Sequence, residues 1–229
     1  MAFALDLATL VQSLVQTDIP PLPEAAFRQI CVHMLWGLLL ATAAWRAGTR
    51  LQPRWRQGLA ALVVVWAAIP GPVSPAYWLE MAFAAPSWTS ALLCGMWLLQ
   101  QTRTQAVEAN SWRAGEPTGI PWLWALFGIA LGWALALDTF AALPFAESVY
   151  AWGFSPLATL CLALFGAGAW VVRPRWASAL PLLAVALYVI TRLPSGNIWD
   201  AVIDPLLWLY LHGAVALRVW QQLRGRVQK

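Results

Sequence analysis

Apolar residues run along this chain in seven long stretches, each bounded by charge or proline. They lie at about 27–45, 55–70, 86–101, 120–138, 155–172, 176–192 and 205–221. A helix needs ~20 apolar residues to cross a ~30 Å hydrocarbon core, so several of them rely on the apolar loops beside them. The second is the weakest, with charge-free sequence only from Gln57 to Ile69 before Pro70-Gly71-Pro72. In the first sixteen residues, Phe3, Leu7, Leu10, Val11 and Leu14 share one helical face, and Asp6, Ser13 and Gln16 fall away from it. This predicts a helix lying in the membrane interface, not a signal peptide, which would carry a basic start and a small-residue cleavage site. A kinked connector through Pro20, Pro21 and Pro23 follows. The predicted organisation is an amphipathic arm over 1–24, a seven-span domain over 25–221 and a basic cytoplasmic tail over 222–229.

Composition supports the same class. Of 229 residues, 61% are hydrophobic and 10% charged, where a soluble domain carries ~25% charged residues. So little polar surface cannot cover a water-soluble globule of this size. The expected fold is an all-α polytopic transmembrane bundle.

Charge orients it. Arg46, Arg50, Arg54 and Arg56 lie between the first two stretches, Arg103 and Arg113 between the third and fourth, and Arg173 and Arg175 between the fifth and sixth. Arg218, Arg224, Arg226 and Lys229 close the chain, leaving only Arg28 and Arg192 for the opposite side. Asp6, Asp18, Glu24, Glu80, Asp138, Glu147, Asp200 and Asp204 collect on that side, with only Glu108 and Glu116 among the arginines. Cationic loops resist translocation. The arginine side is therefore expected in the cytoplasm, with the N-terminus outside and the C-terminus inside. The net charge of +4 then reflects topology and contact with anionic lipid, and no nucleic-acid partner is expected.

Every stretch expected to run from outside to inside contains Leu-x-Gly, at Leu35-Trp36-Gly37, Leu93-Cys94-Gly95, Leu164-Phe165-Gly166 and Leu211-His212-Gly213. Three of them begin at Pro86, Pro156 and Pro205, after aromatic segments around Trp78, Trp152 and Trp199. This predicts a two-helix hairpin repeated three times, with short interfacial helices in the outer loops. Gly128-x-x-x-Gly132 is a close-packing pattern, expected to join neighbouring helices within the chain. Many of the seventeen tryptophans fall where an interfacial belt would place them. Trp36, Trp66 and Trp97 sit deeper and are expected to fill gaps between helices. Cys31, Cys94 and Cys161 have no paired spacing and read as small apolar residues.

Most catalytic constellations are missing: no phosphate-binding glycine loop, H-E-x-x-H, Cys/His cluster or G-x-S-x-G elbow occurs. The seven-span, N-out topology resembles that of microbial rhodopsins, but the only lysine is Lys229, so no retinal Schiff base can form in the last stretch. Two constellations remain. His33 and His212 are candidate ligands of a b-type haem, with Trp36 beside them and Gly37 leaving room for a porphyrin. The acidic, aromatic outer rim of Trp78, Glu80, Asp138, Glu147, Tyr150, Trp152, Trp199, Asp200 and Asp204 could dock a partner or attract cations to a pore mouth. Arg192 is expected to pair with Asp200 or Asp204, since an unpaired arginine near the bilayer is costly.

The leading expectation is a non-catalytic integral subunit or scaffold of the bacterial cytoplasmic (inner) membrane, assembling with other membrane or periplasmic proteins. A bis-histidine haem b, quinone-linked electron-transfer subunit and a small-solute channel are the alternatives.

Overall fold

The computed structural model describes residues 12–106, 122–145, 148–172 and 176–227, and every regular element among them is helical. In chain order these are α1 (Ala25–Ala47), a 3-10 turn (Gly48–Arg50), α2 (Pro53–Ala68), α3 (Pro75–Phe83), α4 (Trp88–Ala106) and α5 (Trp122–Thr139). Then follow α6 (Val149–Trp152), α7 (Pro156–Val172), α8 (Trp176–Thr191), α9 (Ile198–Val202) and α10 (Pro205–Val227). Residues 12–15 are helical as well.

Each predicted apolar stretch coincides with one long helix. Two helices, Ala25–Arg50 and Trp122–Thr139, are long and apolar enough to cross a membrane, and Pro156–Val171 and Ala179–Thr191 are shorter apolar helices. At 1.5 Å per residue, the 16 residues of α2 and of α8 extend about 24 Å. Helices α4 and α10 are longer but end in polar sequence, around Gln100-Gln101 and Gln221-Gln222. Length and local polarity therefore separate the seven helices, as the shortness of several apolar stretches already indicates.

The chain forms two compact units, one of residues 23–119 and one of residues 1–22 with 120–229. In the 23–119 unit, α1 packs along α2 and also against α3 and α4. Gly37 faces α2, where a Cβ would meet Ala67 Cβ at 3.6 Å and Val64 at 3.8 Å, ordinary van der Waals contact. Val32, Trp36, Ala67 and Ala76 form one core cluster, and Ala41, Trp45 and Ala60 form another. Arg56 donates through Nε and Nη2 to the Trp45 carbonyl at 3.2 and 3.0 Å, with its guanidinium 5.1 Å from the Trp45 ring centre. Carbonyls in a helix's last turn lack helical partners and attract cations, so Arg56 ties α2 to the end of α1. The connection from α2 to α4 is held by indoles: Trp66 donates to Val73 O, Trp78 to Pro72 O and Trp36 to Ala84 O, at 2.8 to 3.0 Å. Two of the deep tryptophans thus anchor a loop, and the third, Trp97, lies 4.9 Å from the Arg46 guanidinium.

In the other unit α5 packs on α10, α7 on α8, α8 on α9 and α5 on α6. Gly128 and Gly132 face α10, as expected for an internal packing motif. A Cβ on Gly132 would fall 2.3 Å from the Trp208 ring, and one on Gly128 would fall 2.5 Å from Leu211 Cδ1. Trp208 fills this groove and donates to Ile129 O at 3.2 Å.

Six helix starts share one scheme, whereas α1 and α2 begin without a side-chain cap. Ser74, Ser148 and Asn197 accept from backbone amides and cap the short helices α3, α6 and α9. Ser87, Ser155 and Asp204 then do the same before α4, α7 and α10, at 3.1, 3.2 and 2.8 Å. A side-chain oxygen at this position satisfies one of the amides that a first helical turn leaves without a partner.

Candidate functional site

The richest polar cluster joins α6 and α9 at one corner of the unit formed by 1–22 and 120–229. Asn197 is fully buried. Its Nδ2 donates to Tyr150 O at 2.8 Å while its Oδ1 accepts from Trp199 N at 2.9 Å. Trp199 donates from Nε1 to Val149 O at 2.9 Å, and Ile198 N donates to Gly153 O at 3.0 Å. The four-residue α6 is too short to be stable alone and is fastened to α9 by these bonds. Gly153 is required at the crossing, since a Cβ there would lie 1.9 Å from Asn197 Oδ1.

Two carboxylates complete the corner. Asp138, near the end of α5, accepts from Ser148 Oγ at 2.6 Å and from Tyr150 N at 2.9 Å. Asp200 accepts from Ser195 Oγ and from the Tyr150 hydroxyl, the latter at 2.7 Å. Burial, followed by the hydrogen bond and the charge of Asp200, pushes the Tyr150 phenol up to about 12. Asp204 uses Oδ1 to cap α10. Tyr188 donates to Gly196 O at 2.6 Å and so fixes the loop before α9. These carboxylates receive donors from their own chain and act here as structural acceptors.

The expected rim is distributed as follows. Trp199, Asp200 and Asp204 belong to this corner, and the exposed Trp152 ends α6. Trp78 and Glu80 lie on α3 in the 23–119 unit. Glu147 lies outside the described residues. Tyr150 and Asp138, both expected in the rim, belong to the corner too, whereas Ser148, Ser195 and Asn197, which help hold it together, are not expected as site residues from the sequence. A capping residue just before each aromatic segment was the available signal.

The two histidines belong to different units. His212 has both ring nitrogens engaged. The Trp133 indole is only a donor and reaches Nε2 at 3.2 Å, so Nδ1 carries the hydrogen and donates to Trp208 O at 2.8 Å. His33 is buried, and its Nε2 has no hydrogen-bond partner. The side of Gly37, expected to leave room for a porphyrin, is filled by Ala67 and Val64. Trp36 is committed to Ala84 O and tilts against Phe83 with ring centres 6.4 Å apart. Among the described residues no group of three or more His, Cys, Asp or Glu side chains could hold a metal ion.

Compared with known proteins, the chain matches no family model, no curated protein and no solved structure.

Proposed function

We propose that this chain is a non-catalytic integral membrane subunit that crosses the bilayer seven times and presents the α6–α9 corner on the outer face to a protein partner. The observation that carries this reading is the contrast between the helix flanks and that corner. Large apolar side chains stand outward along the helices, among them Leu62 and Val65 on α2, Leu126 on α5, Leu164 on α7, Ile190 on α8 and Leu209 on α10. In water such flanks would make an apolar surface far beyond what a soluble monomer tolerates. In lipid they are the ordinary outer surface of a helix, whose backbone groups are all satisfied internally. The acids of the corner are by contrast tied into a small framework that leaves Tyr150 and Trp152 exposed. A pre-formed aromatic patch with fixed negative charge suits docking better than proton transfer.

The capping scheme supports a hairpin repeat, with α3–α4, α6–α7 and α9–α10 as successive short-plus-long pairs. The arginines support the orientation. Arg46 and Arg56 lie against Trp97 and Trp45 where α1 ends and α2 begins, and Arg218 lies 5.8 Å from the Trp122 ring centre. Cation–aromatic pairs of this kind suit a cytoplasmic interface of a bacterial inner membrane. Affinity purification from the native membrane tests the assembly. The tagged chain should bring down a stoichiometric partner, and the double substitution Tyr150→Ala, Trp152→Ala should lose it while the chain remains in the membrane. Retention of the partner by that variant counts against the corner as the docking surface.

A further inference from the structure

A separate cavity of about 280 Å³ lies within the unit formed by 1–22 and 120–229. Ser13, Gln16 and Asp18 line it from the N-terminal segment, Phe154 and Thr159 from around α7, and Arg192 from the end of α8. The volume is close to the lower end of the ~300–1,000 Å³ common for small-molecule sites. The lining pairs a cation and a carboxylate with hydroxyls and an apolar wall that includes Val189.

Arg192 is held there at a conformational cost. Its φ is +55°, in the left-handed region that glycine and asparagine adopt far more readily than a long side chain. Bonds on both sides fix this turn, from Arg192 N to Tyr188 O at 2.7 Å and from Gly196 N to Arg192 O at 3.0 Å. Its guanidinium lies 5.5 Å from the Tyr188 ring centre. An arginine kept where a glycine would be easier points to use of the side chain itself. Asp18 accepts from Gln16 Nε2, which positions a carboxylate among the same lining residues. Ser13 and Gln16 come from the polar side of the N-terminal arm, so the arm brings its polar groups to the cavity.

We infer that this cavity binds the headgroup of a phosphoethanolamine-type phospholipid, with the phosphate on Arg192 and the ammonium on Asp18. A guanidinium matches phosphate oxygens with paired donors, and a carboxylate is the natural acceptor for a primary ammonium. Gln16, Ser13 and Thr159 supply further polar contacts, and Phe154 and Val189 meet the apolar start of the lipid. The inference rests on the membrane reading above, because a lipid ligand presupposes a bilayer.

Full-length protein in mild detergent is titrated separately with phosphatidylethanolamine, phosphatidylglycerol and free phosphoethanolamine. Lipid retained is counted by native mass spectrometry. Phosphatidylethanolamine should be retained at least tenfold better than either other probe. Arg192→Asn, which suits the left-handed backbone, should remove that retention without lowering the melting temperature. Asp18→Asn should bring phosphatidylethanolamine down to the level of phosphatidylglycerol. Equal retention by the wild type and Arg192→Asn overturns the proposal, and free phosphoethanolamine binding as tightly as the lipid overturns the lipid as its source. Alkaline carbonate washing of membranes carrying Arg192→Asn tests the membrane reading separately: a chain that stays in the pellet but retains no lipid preference refutes only the headgroup site.

Discussion

The Tyr150 hydroxyl donates to Asp200 across 2.7 Å, linking two short helices fifty residues apart in sequence. The same carboxylate accepts from Ser195, so one side chain joins α6, the loop before α9 and the first turn of α9.

Tyr150 should ionise late. Its folded value of about 12 stands above the ~10 of an unfolded tyrosine. A raised value favours the protonated folded state, so this contribution is fully present below pH ~10 and is lost as the pH rises to about 12. Absorbance at 295 nm should show a late phenol that disappears in Tyr150→Phe and titrates earlier in Asp200→Asn. An unchanged curve in both variants contradicts the bond.

Gly153→Ala should be among the most damaging single changes. The new methyl group would lie 1.9 Å from Asn197 Oδ1 and 2.4 Å from Trp199 Cδ1, and overpacking of this kind costs ~1–3 kcal/mol. Gly213→Ala is the control, with nothing within 4 Å and a gain of ~0.5–1 kcal/mol expected from helix propensity. Thermal unfolding in detergent should separate the two variants by several degrees.

Loss of the caps should be felt in α7 and α10. Ser155→Ala and Asp204→Ala each remove an acceptor for an amide of the first turn, at a cost of ~1 kcal/mol. Asp204→Asn keeps an oxygen acceptor and should recover most of the loss in the same melting experiment.

His212 should hold its hydrogen on Nδ1, because Nε2 receives the Trp133 indole. Nitrogen-15 chemical shifts of labelled histidine should show that tautomer, and Trp133→Phe should change it. Added haem should give no absorption band that depends on His212, since both of its nitrogens are already committed within the chain.

The helices were legible because apolar runs and prolines mark them directly: all seven stretches reappear as α1, α2, α4, α5, α7, α8 and α10. The short helices were legible from their aromatic content, and the pairing of Gly128 and Gly132 with a neighbouring helix from their spacing. The corner was harder to read. Nothing local in Asn197 tells that Tyr150 O will be its acceptor, because the partners are separated by a whole hairpin. Gly37 illustrates the same limit: its sequence context does not tell that Ala67 and Val64 will be the groups beside it. Arg192 was expected beside Asp200 or Asp204, and the contacts found for it are the Tyr188 ring and the cavity.

The central claim, seven crossings with the N-terminus outside, is tested most directly by cysteine accessibility in intact cells. The three native cysteines are replaced by alanine, and single cysteines are placed at Val73, Phe140, Gln52 and Gln222, all exposed. A membrane-impermeant maleimide should label Val73→Cys and Phe140→Cys in intact cells, and Gln52→Cys and Gln222→Cys only after the membrane is opened. Labelling of Gln52→Cys or Gln222→Cys from outside, or of all four positions only after opening, would contradict the account.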